Sequence, residues 1–211
     1  MNTLCINNGL VIDPESCTAR LASVGVKDGR IAEISDTPLH ADTELDAAGH
    51  VVCPGFIDVH AHVDNVTTYP DHETCAKLSL LQGVTTLVSG NCGLSVPNVT
   101  EFFDRIDKGY PLHHAELLGG STLRKMVGAC NIYAPATKEQ IDHMCCLARQ
   151  GLSQGAAGIS LGVGYTPGTS LDEILALATV AREYGRVVSI DTRMEDDYDL
   201  SSLADAIEVS R

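Results

Sequence analysis

The chain has 211 residues and carries 28 acidic against 14 basic side chains, which gives a formal net charge of −14 at pH 7. This negative charge argues against nucleic acid and against anionic membrane surfaces as partners. No segment approaches the roughly 18 apolar residues of a membrane span, and no secretory leader pattern is evident, so we expect a cytoplasmic protein. Its eight cysteines are expected to be reduced thiols.

Residues 1–53 are predicted to form a small β domain. Turn signals such as Asn-Asn-Gly at 7–9 and Lys-Asp-Gly at 27–29 separate short apolar segments. The predicted strands lie near residues 4–6, 10–12, 22–26, 31–34 and 50–53. About fifty residues without disulfides would be marginally stable as a free-standing domain, so we expect this sheet to be half of a larger unit.

Residues 54–211 are predicted to alternate strands with helices, the signature of βα units around a parallel sheet. Thr137 with Gln140, and Ser170 with Glu173, have the form of helix-capping pairs. The predicted strands lie near residues 56–59, 84–88, 115–118, 157–160 and 187–190. A complete eight-stranded barrel takes around 250 residues, so five of its eight strands are expected here.

The run Phe-Ile-Asp-Val-His-Ala-His ends an apolar strand with two histidines, His60 and His62. Alternate residues of a strand share one face, so both imidazoles could reach one cation, and neutral imidazole suits zinc. The alternative is two polar residues on a solvated strand face. In contrast, His113 and His114 precede the third predicted barrel strand, which favours a solvated loop.

Two segments together resemble a known family. Residues 54–62, Pro-Gly-Phe-Ile-Asp-Val-His-Ala-His, resemble the first barrel strand of the amidohydrolase superfamily. Residues 83–93, which end in Gly-Asn-Cys-Gly, resemble the second strand of its N-acyl-D-amino-acid deacylase (D-aminoacylase) branch, where the cysteine is a metal ligand. The resemblance therefore adds Cys92 to His60 and His62, against the alternative that Cys92 is a small buried hydrophobic residue.

Later segments continue the resemblance with departures. Residues 155–168 resemble the fourth strand and its loop, which implies that Tyr165 lines the substrate pocket unless it only packs in a turn. Residues 117–124 resemble a Gly-His-Gly-Thr-Leu-Arg stretch, but Gly120 and Ser121 stand in place of its His and second Gly.

The fifth strand departs at a metal ligand. The branch has His-x-Arg-x-Glu there, whereas this chain has Asp191, Arg193 and Glu195. A carboxylate binds zinc at a similar distance, so Asp191 is either a substitute ligand or a lost site. Arg193 retains the substrate-binding role that the resemblance implies.

The resemblance implies an α/β chain with half of a β sandwich followed by the first five βα units of a TIM-like barrel, residues 54–211. It implies a metal-dependent hydrolase of a linear amide, such as an N-acyl-D-amino acid, with one or two zinc ions. The catalytic aspartate is expected beyond the chain end, so no catalytic residue is assigned, and Asp64 is a candidate for supporting the ligands from behind.

Two alternatives remain. A cyclic amidase of the dihydroorotase or hydantoinase kind shares the His-x-His strand, although residues 155–168 lack the lysine that would favour it. A metal-binding fragment without turnover is favoured by Asp191 and the missing strands. An incomplete barrel would also expose sheet edges, so self-association is expected.

Overall fold

The computed structural model describes residues 1–63, 72–193 and 201–210. Two compact units are present, Met1–Gly55 and Phe56–Arg211. Asp64 and Glu195, both singled out in the sequence, lie outside the described residues. Within the described part of the chain, none of the helices is both long and apolar enough to cross a membrane.

The first unit is a five-stranded mixed sheet. Its strands are β1 (Asn2–Asp13), β2 (Thr18–Lys27), β3 (Arg30–Ser35), β4 (Ala41–Asp46) and β5 (Val51–Val52). The order is β3-β2-β1-β4, and β5 also pairs with β1. β1 runs antiparallel to β2 and parallel to β4 and β5. A small cluster of apolar side chains packs on one face of this sheet, at Val11, Ala22, Val24 and Val52.

The turn expected at residues 7–9 is instead a bulge inside β1. The register with β2 shifts between Ile6 and Gly9, and Asn8 takes a positive φ of 63°. The buried Asn7 side chain hydrogen-bonds both the N–H and the carbonyl of Leu39, at 2.9 and 3.0 Å. Asn7 therefore holds the chain that leads into β4, a polar strand that apolar patterning did not predict.

The second unit contains five parallel strands in the order β10-β9-β8-β7-β6. They are β6 (Phe56–Asp58), β7 (Val84–Ser89), β8 (His113–Gly119), β9 (Gly158–Gly162) and β10 (Val187–Asp191). Each strand pairs in parallel with the next one along the chain. This curled sheet confirms the predicted incomplete barrel.

Helices follow the strands in the second unit. They are α1 (His72–Leu81), α2 (Val99–Ile106), α3 (Gly120–Met126), α4 (Lys138–Ser153), α5 (Leu171–Glu183) and α6 (Ser201–Val209). Thr137 and Gln140 form the predicted capping box of α4, and the Ser170 hydroxyl accepts a hydrogen bond from the N–H of Glu173 at the start of α5. Buried side chains of α4 and α5, including Met144 and Leu177, join Ile159 of β9 in the main core.

The prediction that His114 lies in a solvated loop is wrong. His114 is the second residue of β8, and its side chain is 0% exposed. Its ring packs edge-to-face against Phe102 of α2, with centroids 4.9 Å apart. Its Nε2 lies 3.7 Å from a carboxylate oxygen of the equally buried Glu116, two residues further along the same strand. The apolar cover supplied by α2 explains the burial, whereas neighbouring His113 remains exposed.

A buried ion pair connects the segments that follow β8 and β9. Arg124 of α3 contacts Glu173 of α5 at 2.7 Å, and both side chains are buried. The same guanidinium donates hydrogen bonds to the carbonyls of Asn131 and Ala134. The arginine of the Thr-Leu-Arg motif therefore joins two helices and the loop between α3 and α4.

Candidate metal centre

Three side chains of the kinds that bind metal ions, two imidazoles and a thiol, meet where β6 and β7 end. The Cys92 sulfur lies 3.5 Å from Nε2 of His60 and 3.5 Å from Nε2 of His62. The imidazole centroids are 5.2 Å apart, with their rings at 72°. One ligand atom from each of these residues lies within 4.8 Å of the other two. Strand order explains the meeting, because the carboxyl ends of adjacent parallel strands lie at the same edge of the sheet.

The histidine segment is held by the neighbouring strand β7 and by a side chain from the turn that follows β7. Beyond the paired part of β6, the N–H of Ala61 donates to the carbonyl of Val88 at 3.0 Å. The N–H of His60 donates to the Asp58 carboxylate at 3.1 Å. Asn91 Nδ2 donates to the Val88 carbonyl at 2.9 Å and lies 3.5 Å from the carbonyls of both Val59 and Ala61.

Cys92 lies in a tight turn with an unusual backbone conformation. Its φ is 54°, in the left-handed region that non-glycine residues rarely adopt. Ser160 of β9 bridges the turn, because its hydroxyl donates to the Gly90 carbonyl and accepts from the N–H of Gly93. A Cβ added at Gly162 would lie 2.0 Å from the Cys92 carbonyl oxygen, so only glycine allows β9 to approach this closely.

Asp191 ends β10 beside the same thiol. Its backbone carbonyl accepts from the N–H groups of Val163 and Gly164, at 2.9 and 3.2 Å. Burial raises the pKa of the Cys92 thiol, and the Asp191 carboxylate raises it further through a hydrogen bond and its charge. Asp191 therefore lies next to Cys92 but outside the compact set of three donors, and its role as a ligand stays a prediction.

The two residues expected to bind substrate have different surroundings. Tyr165 is 61% exposed in the loop after β9, and its N–H donates to the Gly162 carbonyl. Arg193 donates to the Thr169 carbonyl at 2.6 Å and forms an ion pair with Asp205 of α6, also at 2.6 Å. These contacts give Arg193 a structural role in the described chain, and substrate binding by either residue stays a prediction.

The departure at Gly120 has a local explanation. A Cβ at Gly120 would lie 2.9 Å from Cδ2 of Leu161, so that side chain fills the direction in which a larger residue would point. The Ser121 hydroxyl is buried and has no hydrogen-bond partner among the described residues. The histidine expected from the resemblance could be accommodated only if Leu161 moved.

Motif matching missed Asn91 and Ser160, whose side chains support the site. Asn91 lies beside the cysteine in Asn-Cys-Gly, but the sequence does not show that its amide reaches the histidine segment. Ser160 is 67 residues from Gly93, so no local spacing links the two residues. Only the strand order brings these contacts together.

Comparison with known proteins gives the relatives of this chain. No protein-family model matches. The D-aminoacylase of Alcaligenes xylosoxydans xylosoxydans is 32% identical over 235 residues, which cover 99% of this chain and 48% of that protein. Cyclic amidases match only in part, and a dihydroorotase of Aquifex aeolicus aligns with 42% of this chain.

Solved structures give the same result. The N-acyl-D-glutamate deacylase of Bordetella bronchiseptica, complexed with zinc and a phosphonate mimic of the tetrahedral intermediate, superposes with a TM-score of 0.90 at 31% identity, covering 100% of this chain and 49% of that one. A D-aminoacylase structure described for its binuclear metal centre gives a TM-score of 0.88 at 30% identity, with the same coverage. The predicted resemblance to the N-terminal part of this branch is confirmed, and the chain spans about half the length of the curated relatives that it matches.

Proposed function

We propose that this chain forms the metal-binding part of an N-acyl-D-amino-acid deacylase, an amidohydrolase that hydrolyses a linear amide bond. The observation that carries the proposal is the position of the Cys92 sulfur, 3.5 Å from both imidazole nitrogens. The zinc-containing deacylase that superposes on the whole chain supports it. The partial matches to cyclic amidases do not favour that alternative.

The donor set fits zinc. Two imidazoles and one thiol are the ligand types that zinc prefers, and donors bound at about 2.1–2.3 Å to one tetrahedral ion lie roughly 3.5 Å apart. The distances from the sulfur to the two histidines match that spacing. We infer that His60, His62 and Cys92 hold one zinc ion, with Asp191 as a further ligand to this ion or to a second one.

A zinc ion bound there would supply Lewis acidity to the scissile carbonyl and lower the pKa of a bound water. Asp191 in place of a histidine adds negative charge, which weakens that Lewis acidity. Tyr165 would line the substrate pocket, and Arg193 would contribute to substrate binding in addition to its contacts with α6. The aspartate that moves the proton to the leaving amine is expected outside the matched segments of this chain.

Metal content tests the proposal directly. Purified protein should contain zinc, and Cys92→Ala should lower the bound zinc. Cys146→Ala is the matched control because Cys146 is an exposed free thiol on α4. Asp191→His should strengthen zinc retention if Asp191 is a ligand. Equal zinc contents in wild type and Cys92→Ala would overturn the metal centre, and an unchanged affinity in Asp191→His would remove only Asp191 from it.

A second candidate is a metal-binding fragment without activity of its own, and turnover by this chain tests it. That candidate is favoured by Asp191 and by the five-stranded sheet. These 211 residues tested by themselves are expected to bind zinc without measurable hydrolysis of N-acetyl-D-amino acids, because none of them is assigned the proton transfer that is worth typically about 10²–10⁴-fold. Zinc-dependent turnover by this chain would instead show that the base lies among its own residues, with Asp64 the first to test.

Self-association and a cytoplasmic location complete the proposal. β6 and β10 form the two edges of the parallel sheet, and exposed apolar side chains such as Phe56 and Val187 lie on them. Unpaired edges of this kind favour strand pairing between copies. The cysteines whose side chains are described are all free thiols, which suits a reducing compartment.

A further inference from the structure

Asn91 is buried next to Cys92 in the chain, and its side-chain amide contacts backbone carbonyls. It is 1% exposed, and its amide nitrogen lies among three backbone carbonyls. One is that of Val88 in β7, and the other two belong to Val59 and Ala61. Val59 and Ala61 are the residues on either side of His60, so this amide contacts the backbone that presents the imidazoles.

The histidine segment needs such support because β6 is short and lies at the sheet edge. The pairing of β6 with β7 ends at Asp58 opposite Leu87, before either histidine is reached. β6 has no second neighbour among the described strands. One backbone hydrogen bond, from Ala61 to Val88, continues the connection. The Asn91 amide adds a side-chain connection between the same two segments.

The chemistry of the amide fits this task. A primary amide nitrogen carries two hydrogens and accepts no hydrogen bond, so it can donate to two carbonyls at once. The contact with Val88 is short, and the two at 3.5 Å lie at the long end of hydrogen bonding. A carboxylate at this position would bring its negative charge against three carbonyl oxygens and push the histidine segment away.

We propose that Asn91 is a positioning residue that sets the distance between the His60–His62 pair and Cys92, without itself touching the metal. The inference rests on the proposed metal centre and assigns a residue that controls its geometry. Cys92 is held separately by Ser160, so a change at Asn91 should move the imidazoles more than the sulfur. Residues that support metal ligands from behind typically change metal affinity by about 10–100-fold when replaced.

Cobalt(II) is the probe because its spectrum reports the two ligand types separately. A thiolate-to-cobalt charge-transfer band in the near ultraviolet reports the bond to Cys92, and the visible d–d bands report how many donors surround the ion. The expected result for Asn91→Asp is an apparent Kd raised about 10–100-fold, weaker d–d bands and a retained charge-transfer band. Asn91→Ser, which keeps a smaller donor, should fall between this variant and the wild type, and it replaces Asn91→Asp if that variant does not fold.

Ser89→Ala is the matched control, since Ser89 is fully buried at the end of β7 and its hydroxyl has no hydrogen-bond partner among the described residues. It should bind cobalt as the wild type does. Three results would each overturn the positioning role while leaving the metal centre intact. They are wild-type cobalt affinity in the Asn91 variants, an equal loss of cobalt affinity in Ser89→Ala, and loss of the charge-transfer band in Asn91→Asp. A wild-type protein that takes up no cobalt would overturn the metal centre, and this inference with it.

Discussion

His114 predicts a loss of stability in mild acid that can be traced to one side chain. Its ring is fully buried between β8 and α2, and neither ring nitrogen has a hydrogen-bond partner among the described residues. Burial lowers the pKa of His114 from 6.5 to about 4, because the imidazolium form would lose its hydration. The folded protein therefore holds this histidine neutral at pH values where the unfolded chain protonates it.

The magnitude follows from linkage. The pKa of the folded state is the lower one, so the stabilisation is fully present above pH 6.5 and is lost as the pH falls from 6.5 towards 4. Because the two pKa values differ this much, protonation of His114 lowers the free energy of unfolding by about 2 kcal/mol at pH 5. The loss reaches about 3 kcal/mol once His114 is protonated in both the folded and the unfolded state. The Glu116 carboxylate, 3.7 Å away, opposes the shift when it is ionised, so these figures are upper values.

Urea unfolding followed by far-ultraviolet circular dichroism, at about pH 7.5 and pH 5, measures this difference. His114→Leu removes the titrating group, so wild type should lose up to about 2 kcal/mol more than His114→Leu between the two pH values. His113→Gln, which changes the exposed neighbour, should behave as wild type does. Equal pH dependence in wild type and His114→Leu, or an imidazole proton resonance of His114 that titrates near pH 6.5, would refute the reasoning.

Three further outcomes are expected. Arg124→Met should lower the free energy of unfolding, measured in urea, by about 3–5 kcal/mol, because it leaves the buried Glu173 carboxylate uncompensated. Adding Glu173→Gln should recover part of this loss. An Arg124→Met variant as stable as the wild type would contradict the prediction. Thr137→Ala should lower the free energy of unfolding by about 1 kcal/mol, because α4 loses its N-cap. Thr137→Ser keeps the oxygen that accepts the capping hydrogen bond and should keep most of the stability. Gly162→Ala should displace the Cys92 turn and weaken cobalt binding, and unchanged binding would show that β9 can retreat without moving the sulfur.

The sequence predicted the strands that apolar residues between turn signals mark. β7 and β10 are apolar runs between turn signals, and both were predicted within a residue or two of their observed bounds. β4 reads Ala-Asp-Thr-Glu-Leu-Asp and is held partly by asparagine side chains, so no apolar pattern marks it. The sequence predicts a loop at His114 because this residue precedes the apolar run, but the preceding helix, α2, covers its ring with Phe102.

The same distinction applies within the site. The two-residue period of a strand predicts that His60 and His62 share a face, but β6 ends at Asp58, so both histidines lie in the segment that follows it. The resemblance adds Cys92. The distances among the three depend on Asn91 and on the strand order, which are tertiary features. Whether Asp191 faces the site also depends on the length and register of β10, because a shift of one residue would turn its side chain to the opposite face.

The contacts of the Arg124 guanidinium limit where chimeras of this chain and its relatives can be joined. One guanidinium holds Glu173 at the start of α5 and the carbonyls of Asn131 and Ala134 in the preceding loop. A crossover placed between positions 134 and 173 would take the arginine and its acidic partner from different parents, and a parent that lacks the matching charge would leave the other residue buried and uncompensated. Grafts that exchange residues 124–173 as one block keep the arginine, the loop carbonyls and the glutamate together.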